Sequence, residues 1–174
     1  YMQATEVYTD WTTAAENNFG YTDDYTLMGI PDDLSTMFDD AAANGSHIHT
    51  NSWGAPVAGQ YNTNSMQADH SARNHSGMLI LFAAGNSGVD SNSDGEIDDD
   101  SIGSPATSKN VLTVGASEND RGSQISSEWG PWFGYPTDPI NSDKIANNTE
   151  GMAAFSSRGP VDDGRLKPDI SAPG

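Results

Sequence analysis

The sequence predicts an α/β layered fold built on a parallel sheet, and three observations predict it. Apolar runs alternate with segments whose apolar residues recur at helical spacing, in the order strand, helix, strand, helix, strand. "MLILFAA", residues 78–84, is apolar throughout, as a central parallel strand buried on both faces requires. Gly, Pro and Asn punctuate the joints between these units. Parallel strands joined in this way take right-handed crossovers, and their ligands sit outside the carboxyl ends of the strands.

Each element has its own warrant. "EVYTDW", 6–11, has the composition of a short strand, and residues 12–29 read as loop with Gly20 and Gly29 as punctuation. A helix follows from Pro31 or Asp32: Leu34, Met37, Phe38 and Ala41 share one face, and Asn44-Gly45 ends it. "SHIHTNSWG" is a short strand broken at Gly54-Ala55-Pro56. A second helix is framed by a cap among Thr63 to Ser65 and by Gly77 as the stop. Strands are expected again at 78–84, at "NVLTVGAS" (110–117) and in "LKPDISAPG" at the end of the chain. The carboxyl ends of strands 48–52 and 78–84 should therefore lie side by side, which brings Ser52-Trp53-Gly54 next to Gly85-Asn86.

Composition narrows the function. The 174 residues suffice for one domain with a real core. They begin without Met, a charged n-region or an apolar h-region, and no stretch is long enough to span a bilayer, so the chain reads as an internal piece of a longer protein. Twenty-five acids against 7 Lys and Arg give a formal net charge of −18, which argues against nucleic acid and anionic membrane as partners. With no cysteine, disulfides and thiolate chemistry are excluded. The acidity suits a secreted, salt-exposed protein, and a monomer is expected.

"AAGNSG", 83–88, supports two readings. Asn and Gly after a strand are ordinary turn residues. An Asn at a strand end flanked by small residues is also an N–H donor beside a place where a substrate backbone fits, which is what stabilising an oxyanion in acyl transfer needs.

The segments "TNSWGAP" (50–56), "FAAGNSG" (82–88), "GSPATSKNVLTVGA" (103–116) and "AAFSSRGP…RLKPDISAPG" (153–174) occur in that order. Together they resemble the subtilisin-like serine proteases (subtilases), most of all the oxidation-tolerant alkaline members, continuously from about Pro31. The resemblance implies a partial α/β domain, three-layered around a mostly parallel sheet: a loop-rich lead-in over 1–30 and a family-like core over 31–174. It implies that Asn86 is the oxyanion-hole asparagine of a serine endopeptidase acting on polypeptides. Ser52, Trp53 and Gly54 would line one wall of the pocket for the side chain before the scissile bond and pair with the substrate as an added strand. Ala83, Ala84 and Gly85 would form the opposite wall and Gly103 the floor, followed by a cis Ser104-Pro105 peptide. Thr26 to Gly29 match a second substrate-pairing edge loosely.

The family's triad motifs, Asp-Ser/Thr-Gly, His-Gly-Thr and Gly-Thr-Ser-Met-Ala, do not occur among these residues. "DHS" at 69–71 cannot replace them, because neighbours on a helix point about 100° apart. The 174 residues by themselves are thus expected to be inactive. A non-catalytic extracellular calcium-stabilised binding module derived from a protease is the alternative.

His70 and His75 read as residues of a solvated helix face. His47 and His49 alternate along a strand, as packing residues or a metal pair. In "DSNSDGEIDDD", 90–100, Asp90, Asn92 and Asp94 stand at alternating positions before Gly95, as in the first half of an EF-hand loop. Glu96, Asp98 and Asp100 would complete a structural Ca²⁺ site, although the closing acid is displaced by one position. An unliganded acidic loop is the other reading, and repulsion among the crowded carboxylates favours the cation. Arg158 and Arg165 are expected to pair with Asp162, Asp163 or Asp169. "GPWFGYP", 130–136, is a loop whose aromatics either rim the cleft or pack locally.

Overall fold

The computed structural model describes residues 5–9 and 24–174. Its elements are β1 (Thr5–Thr9), β2 (Asp24–Met28), α1 (Leu34–Ala43), β3 (Ile48–Asn51), α2 (Thr63–Asn74), β4 (Leu79–Ala83), β5 (Leu112–Ser117), α3 (Trp129–Phe133) and β6 (Ile170–Pro173). Strands β3-β4-β5-β6 form one sheet in that order, and every neighbouring pair is parallel. Strands β1 and β2 pair antiparallel in a separate two-stranded sheet. The expected first strand is thus present as β1, whereas part of the expected loop, Asp24–Met28, is strand. Local turn signals at Gly20 and Gly29 hid a segment that pairing with β1 holds extended. The rest of that expected loop, 12–23, and the end of "EVYTDW" lie outside the described residues.

Helix α1 starts two residues later than Asp32, because Asp33 caps it by accepting from the Ser35 N–H at 3.0 Å. Helix α2 is capped by Asn62, one residue before the expected window. Asn62 Oδ1 accepts from the Ser65 N–H, and Ser65 Oγ accepts from the Asn62 N–H, a reciprocal box. A cap of this kind contributes about 1 kcal/mol.

The core forms where the predicted helical face meets one face of the sheet. Leu34, Met37, Phe38 and Ala41 of α1 and Ala68 of α2 bury against Ile80 and Phe82 of β4. Phe38 meets both Phe82 and His49 edge-on, at 6.3 and 5.0 Å between ring centroids. Burial against that ring holds the His49 imidazole below its ordinary pKa. His49 is therefore a packing residue, as the blander reading has it. His47 lies on the surface, with Nδ1 3.2 Å from the Gly77 carbonyl.

Burial of β4 on both faces is not observed. Ile80 and Phe82 are buried, but Leu79 on the opposite face is 46% exposed and Ile48 beside it 67%. Helices α1 and α2 pack on the same side of the sheet, so the opposite face keeps its apolar residues half-open among the described residues.

A second, smaller cluster gathers Trp129, Tyr135, Ala153 and Ala154 around the excursion between β5 and β6. "GPWFGYP" is not simply a loop: Gly130 to Phe133 belong to α3, which Gly134 ends in the left-handed conformation at φ +83°. Its aromatics divide. Tyr135 is buried against Trp129, which precedes the segment, whereas Trp132 and Phe133 are 68% and 50% exposed. Glu118 anchors this excursion. It is 4% exposed, and its carboxylate accepts from Trp129 Nε1 and the N–H groups of Asn147 and Asn148 at 3.1–3.3 Å.

Candidate active site

Strands β3 and β4 run in register, Asn51 opposite Phe82, so their carboxyl ends emerge together. Asn51 is buried, and its Nδ2 donates to the Leu81 carbonyl at 3.0 Å, fixing β3 to β4 immediately before Ser52. Phe82 reaches beneath the next turn and meets Trp53 edge-on at 5.3 Å.

A cavity of about 340 Å³ opens at this edge, lined by Ser52, Trp53, Gly54, Ala83, Ala84, Gly85, Asn86 and Gly103, together with Ala55, Pro56 and Ser87. All eight residues singled out for the cleft therefore meet at one place. Gly103 is carried there by two ladders: its N–H donates to the Ala84 carbonyl at 2.9 Å, and Ala55 and Ser104 exchange both backbone hydrogen bonds at 2.9 Å. The tight packing explains the glycines. A Cβ on Gly54 would stand 2.8 Å from the Ser104 carbonyl oxygen, and Gly85 has φ +113°, which side-chain-bearing residues rarely adopt. The Ser104–Pro105 peptide is cis.

Below the floor lies a buried hydroxyl network that no local signal in the sequence announces. Ser65 Oγ is 2.7 Å from Thr107 Oγ1 and 3.1 Å from Ser104 Oγ, Ser104 Oγ donates to Asn62 Oδ1 at 2.6 Å, and Thr107 Oγ1 donates to the Gln60 carbonyl at 3.0 Å. These partners come from segments about forty residues apart, and together they tie the start of α2 to the cavity floor.

Asp69 of "DHS" is structural. It is buried, its Oδ1 accepts from the N–H groups of Lys109 and Asn110 at 2.8 and 2.6 Å, and its Oδ2 accepts from Tyr61 Oη at 2.8 Å. Burial and this carboxylate push the Tyr61 phenol up to about 12. His70 is exposed beside Asn74. His75 departs from the expected solvated face: it is the C-cap of α2, half-buried, and its Nε2 lies 2.7 Å from Asp39 Oδ1 of α1.

The acidic loop turns its oxygens toward its own backbone. Asp90, buried, accepts from the N–H groups of Asp94 and Gly95 at 3.0 and 3.1 Å. Asn92 accepts from Asp94, and Asp94 from Glu96, at 3.0 and 2.9 Å. Asp98 accepts from the hydroxyl and N–H of Ser91, which hold its carboxyl below the usual range. Asp100 sits at φ +60°. In this arrangement no three acidic, His or Cys side chains among the described residues converge to hold a metal ion. The loop does border the cleft: a more open recess of about 770 Å³ is lined by Asp98, Asp99 and Asp100 and shares Pro56 and Ser87 with the first cavity.

The 155–169 segment forms one of the expected ion pairs and adds another. Arg165 Nε meets Asp163 at 2.8 Å, drawing that carboxyl down, while its Nη2 donates to the Thr107 carbonyl at 2.8 Å. Arg158 instead reaches the Met152 carbonyl at 3.4 Å. Asp169 pairs with Lys167, whose Nζ is buried 2.6 Å away, and accepts from the Thr113 N–H at 2.7 Å, fixing the approach to β6.

The family model described as Peptidase_S8, Subtilase family, matches residues 29–174. The chain belongs to the subtilase family. Among curated relatives it is 27% identical to the serine protease/ABC transporter B family protein tagD of Dictyostelium discoideum over 195 residues, 83% of this chain and 10% of that protein. It is 34% identical to the serine protease AprX of Bacillus subtilis (strain 168) over 98 residues, 56% of this chain and 15% of AprX. The chain therefore spans about a tenth to a seventh of these relatives. Among solved structures, that of the prenylagaramide maturation protease PagA superposes with TM-score 0.50 at 22% identity, over 88% of this chain and 40% of PagA, a likeness of fold. The parallel sheet with its helices is a partial subtilisin-like α/β fold.

Proposed function

We propose that these residues form the substrate cleft of a secreted, monomeric subtilisin-like serine endopeptidase, which hydrolyses polypeptides through an acyl-enzyme. The observation that carries the reading is that Asn86 borders the same cavity as Trp53, Gly85 and Gly103 at the carboxyl edge of a subtilase sheet. In this reading the Asn86 carboxamide donates to the tetrahedral oxyanion. The substrate lies as an extended strand between Ser52–Gly54 and Ala83–Gly85, and its side chain before the scissile bond, apolar and of medium or large size, enters the cavity. Nucleophile and base come from the full-length protein, since the triad motifs do not occur in these 174 residues.

The test is made on the full-length protein. It is expected to cleave internal bonds of an unfolded polypeptide and to be labelled on serine by a fluorophosphonate that abolishes cleavage. A protein that binds peptide in the cleft but neither cleaves nor takes the label is instead the binding module.

Loop 90–100 takes up a structural Ca²⁺ in this reading. Its support is the spacing of Asp90, Asn92 and Asp94 before Gly95, with six carboxylates within the same eleven residues. Asp90, Asp94 and Asp98 accept from backbone amides, and Asp98 also from the Ser91 hydroxyl, while each carboxylate keeps lone pairs for the ion. Chelation is expected to lower the melting temperature and to expose 90–100 to proteases. Unchanged melting, together with no Ca²⁺ heat in calorimetry, removes the ion from the account.

A further inference from the structure

Asn86 has no regular structure to hold it, since β4 ends at Ala83 and the chain turns sharply through Gly85. Its neighbours on both sides are nevertheless fixed, and by one residue. The Ser157 N–H donates to the Gly85 carbonyl at 3.0 Å, and the Ser87 N–H donates to Ser157 Oγ at 3.0 Å. Ser157 thus spans Asn86, holding the peptide unit before it by its backbone and the one after it by its side chain.

Ser157 is itself immobilised. It is fully buried. The preceding Ser156 Oγ accepts from the Ala116 N–H of β5 at 3.0 Å, and the following Arg158 N–H donates to Ser101 Oγ at 2.8 Å while its carbonyl accepts from the Ser101 N–H at 2.7 Å. One residue farther along the turn, the Gly88 N–H donates to the Phe155 carbonyl at 2.9 Å and the Gly88 carbonyl accepts from Tyr135 Oη at 2.8 Å. The turn is small-walled for this contact: a Cβ on Gly85 would stand 2.8 Å from Ser157 Oγ, and one on Gly88 would stand 2.1 Å from the Ala154 carbonyl.

An oxyanion donor is effective when it is aimed before charge develops, so that no reorganisation is needed during the reaction. We propose that Ser157 is the positioning residue of the oxyanion turn, its hydroxyl holding the Ser87 N–H so that the Asn86 carboxamide faces the cleft before substrate arrives. This rests on the reading of Asn86 as the oxyanion donor. Ser157 touches no reacting atom, so its loss acts on turnover through Asn86 and leaves binding in the apolar cavity intact.

The experiment is a double-mutant cycle in the full-length protein on a peptide amide substrate. Ser157→Ala is expected to lower kcat about ten- to a hundredfold, the scale of a donor misplaced by about an ångström, with KM within about twofold. Ser157→Thr, which keeps the hydroxyl, should recover most of the rate. In the background of Asn86→Ala, adding Ser157→Ala should cost little more, because the group being aimed is gone. If Ser157→Ala does not fold, Ser157→Cys keeps the volume, offers a poorer acceptor and should show the same loss. An unchanged kcat in the Ser157 variants, or losses that multiply in the double mutant, overturns the positioning role while Asn86→Ala still slows the enzyme. A full rate in Asn86→Ala overturns the oxyanion reading, and this proposal with it.

Discussion

Asn86→Ala in the full-length protein is expected to lower kcat on peptide substrates by about 10²–10³, with KM changed by less than about twofold. The asymmetry follows from when the interaction is made. A carboxamide N–H placed for a tetrahedral oxyanion meets the flatter ground-state carbonyl poorly, so removing it withdraws stabilisation from the transition state alone. The cavity beside it is walled by Trp53, Ala83, Ala84 and Gly103, and these are untouched by the substitution, so apolar binding persists. Asn86 is exposed at the end of a turn and fills no core space, so the melting temperature should hardly move. Steady-state kinetics with a thermal melt on the same preparation checks both halves. Equal losses in kcat and in stability would assign Asn86 to the scaffold.

Phe82→Ala is expected to destabilise the protein by about 3–5 kcal/mol, the range for truncating a large buried aromatic side chain. Phe82 is 1% exposed and stands where β4 joins the core to the edge of the cavity. On one side its ring contacts Phe38 of α1, and on the other Trp53 of the cavity wall. The void left by the ring cannot be refilled from α1 without moving Leu34 or Met37, which are packed in the same cluster. Trp53 would lose its edge-on support, so KM for apolar side chains should rise while kcat is retained. Denaturant unfolding of the intact protein, read together with KM, tests this. An unfolding free energy within about 0.5 kcal/mol of the parent would deny Phe82 that place.

Much of the architecture was legible because it depends on local periodicity. The apolar stripe Leu34, Met37, Phe38 and Ala41 located α1, and the continuous run 78–84 located β4. The meeting of Ser52–Gly54 with Gly85-Asn86 followed from parallel register alone. Errors arose where partners distant in sequence decide the outcome. Pairing with β1 makes Asp24–Met28 a strand inside an expected loop, and a carboxylate on α1 turns His75 from a solvated side chain into a link between helices. In the acidic loop the spacing suggests ligands for a cation, and the structure adds which neighbouring amides Asp90, Asp94 and Asp98 accept from.

By itself the sequence determined the order of elements, the small residues and the asparagine at the end of β4, the acidic character and the family, since each resides in residue types at fixed short spacings. Only the tertiary structure decided what surrounds and supports the cavity: Ser157 astride Asn86, the hydroxyl network beside Gly103, the Asp169 carboxylate on the Thr113 N–H and the half-open sheet face. The physical reason is that a buried hydrogen bond or ion pair depends on which two groups the fold brings within about 3 Å. Separations of forty to seventy residues leave no local pattern from which such a meeting can be read.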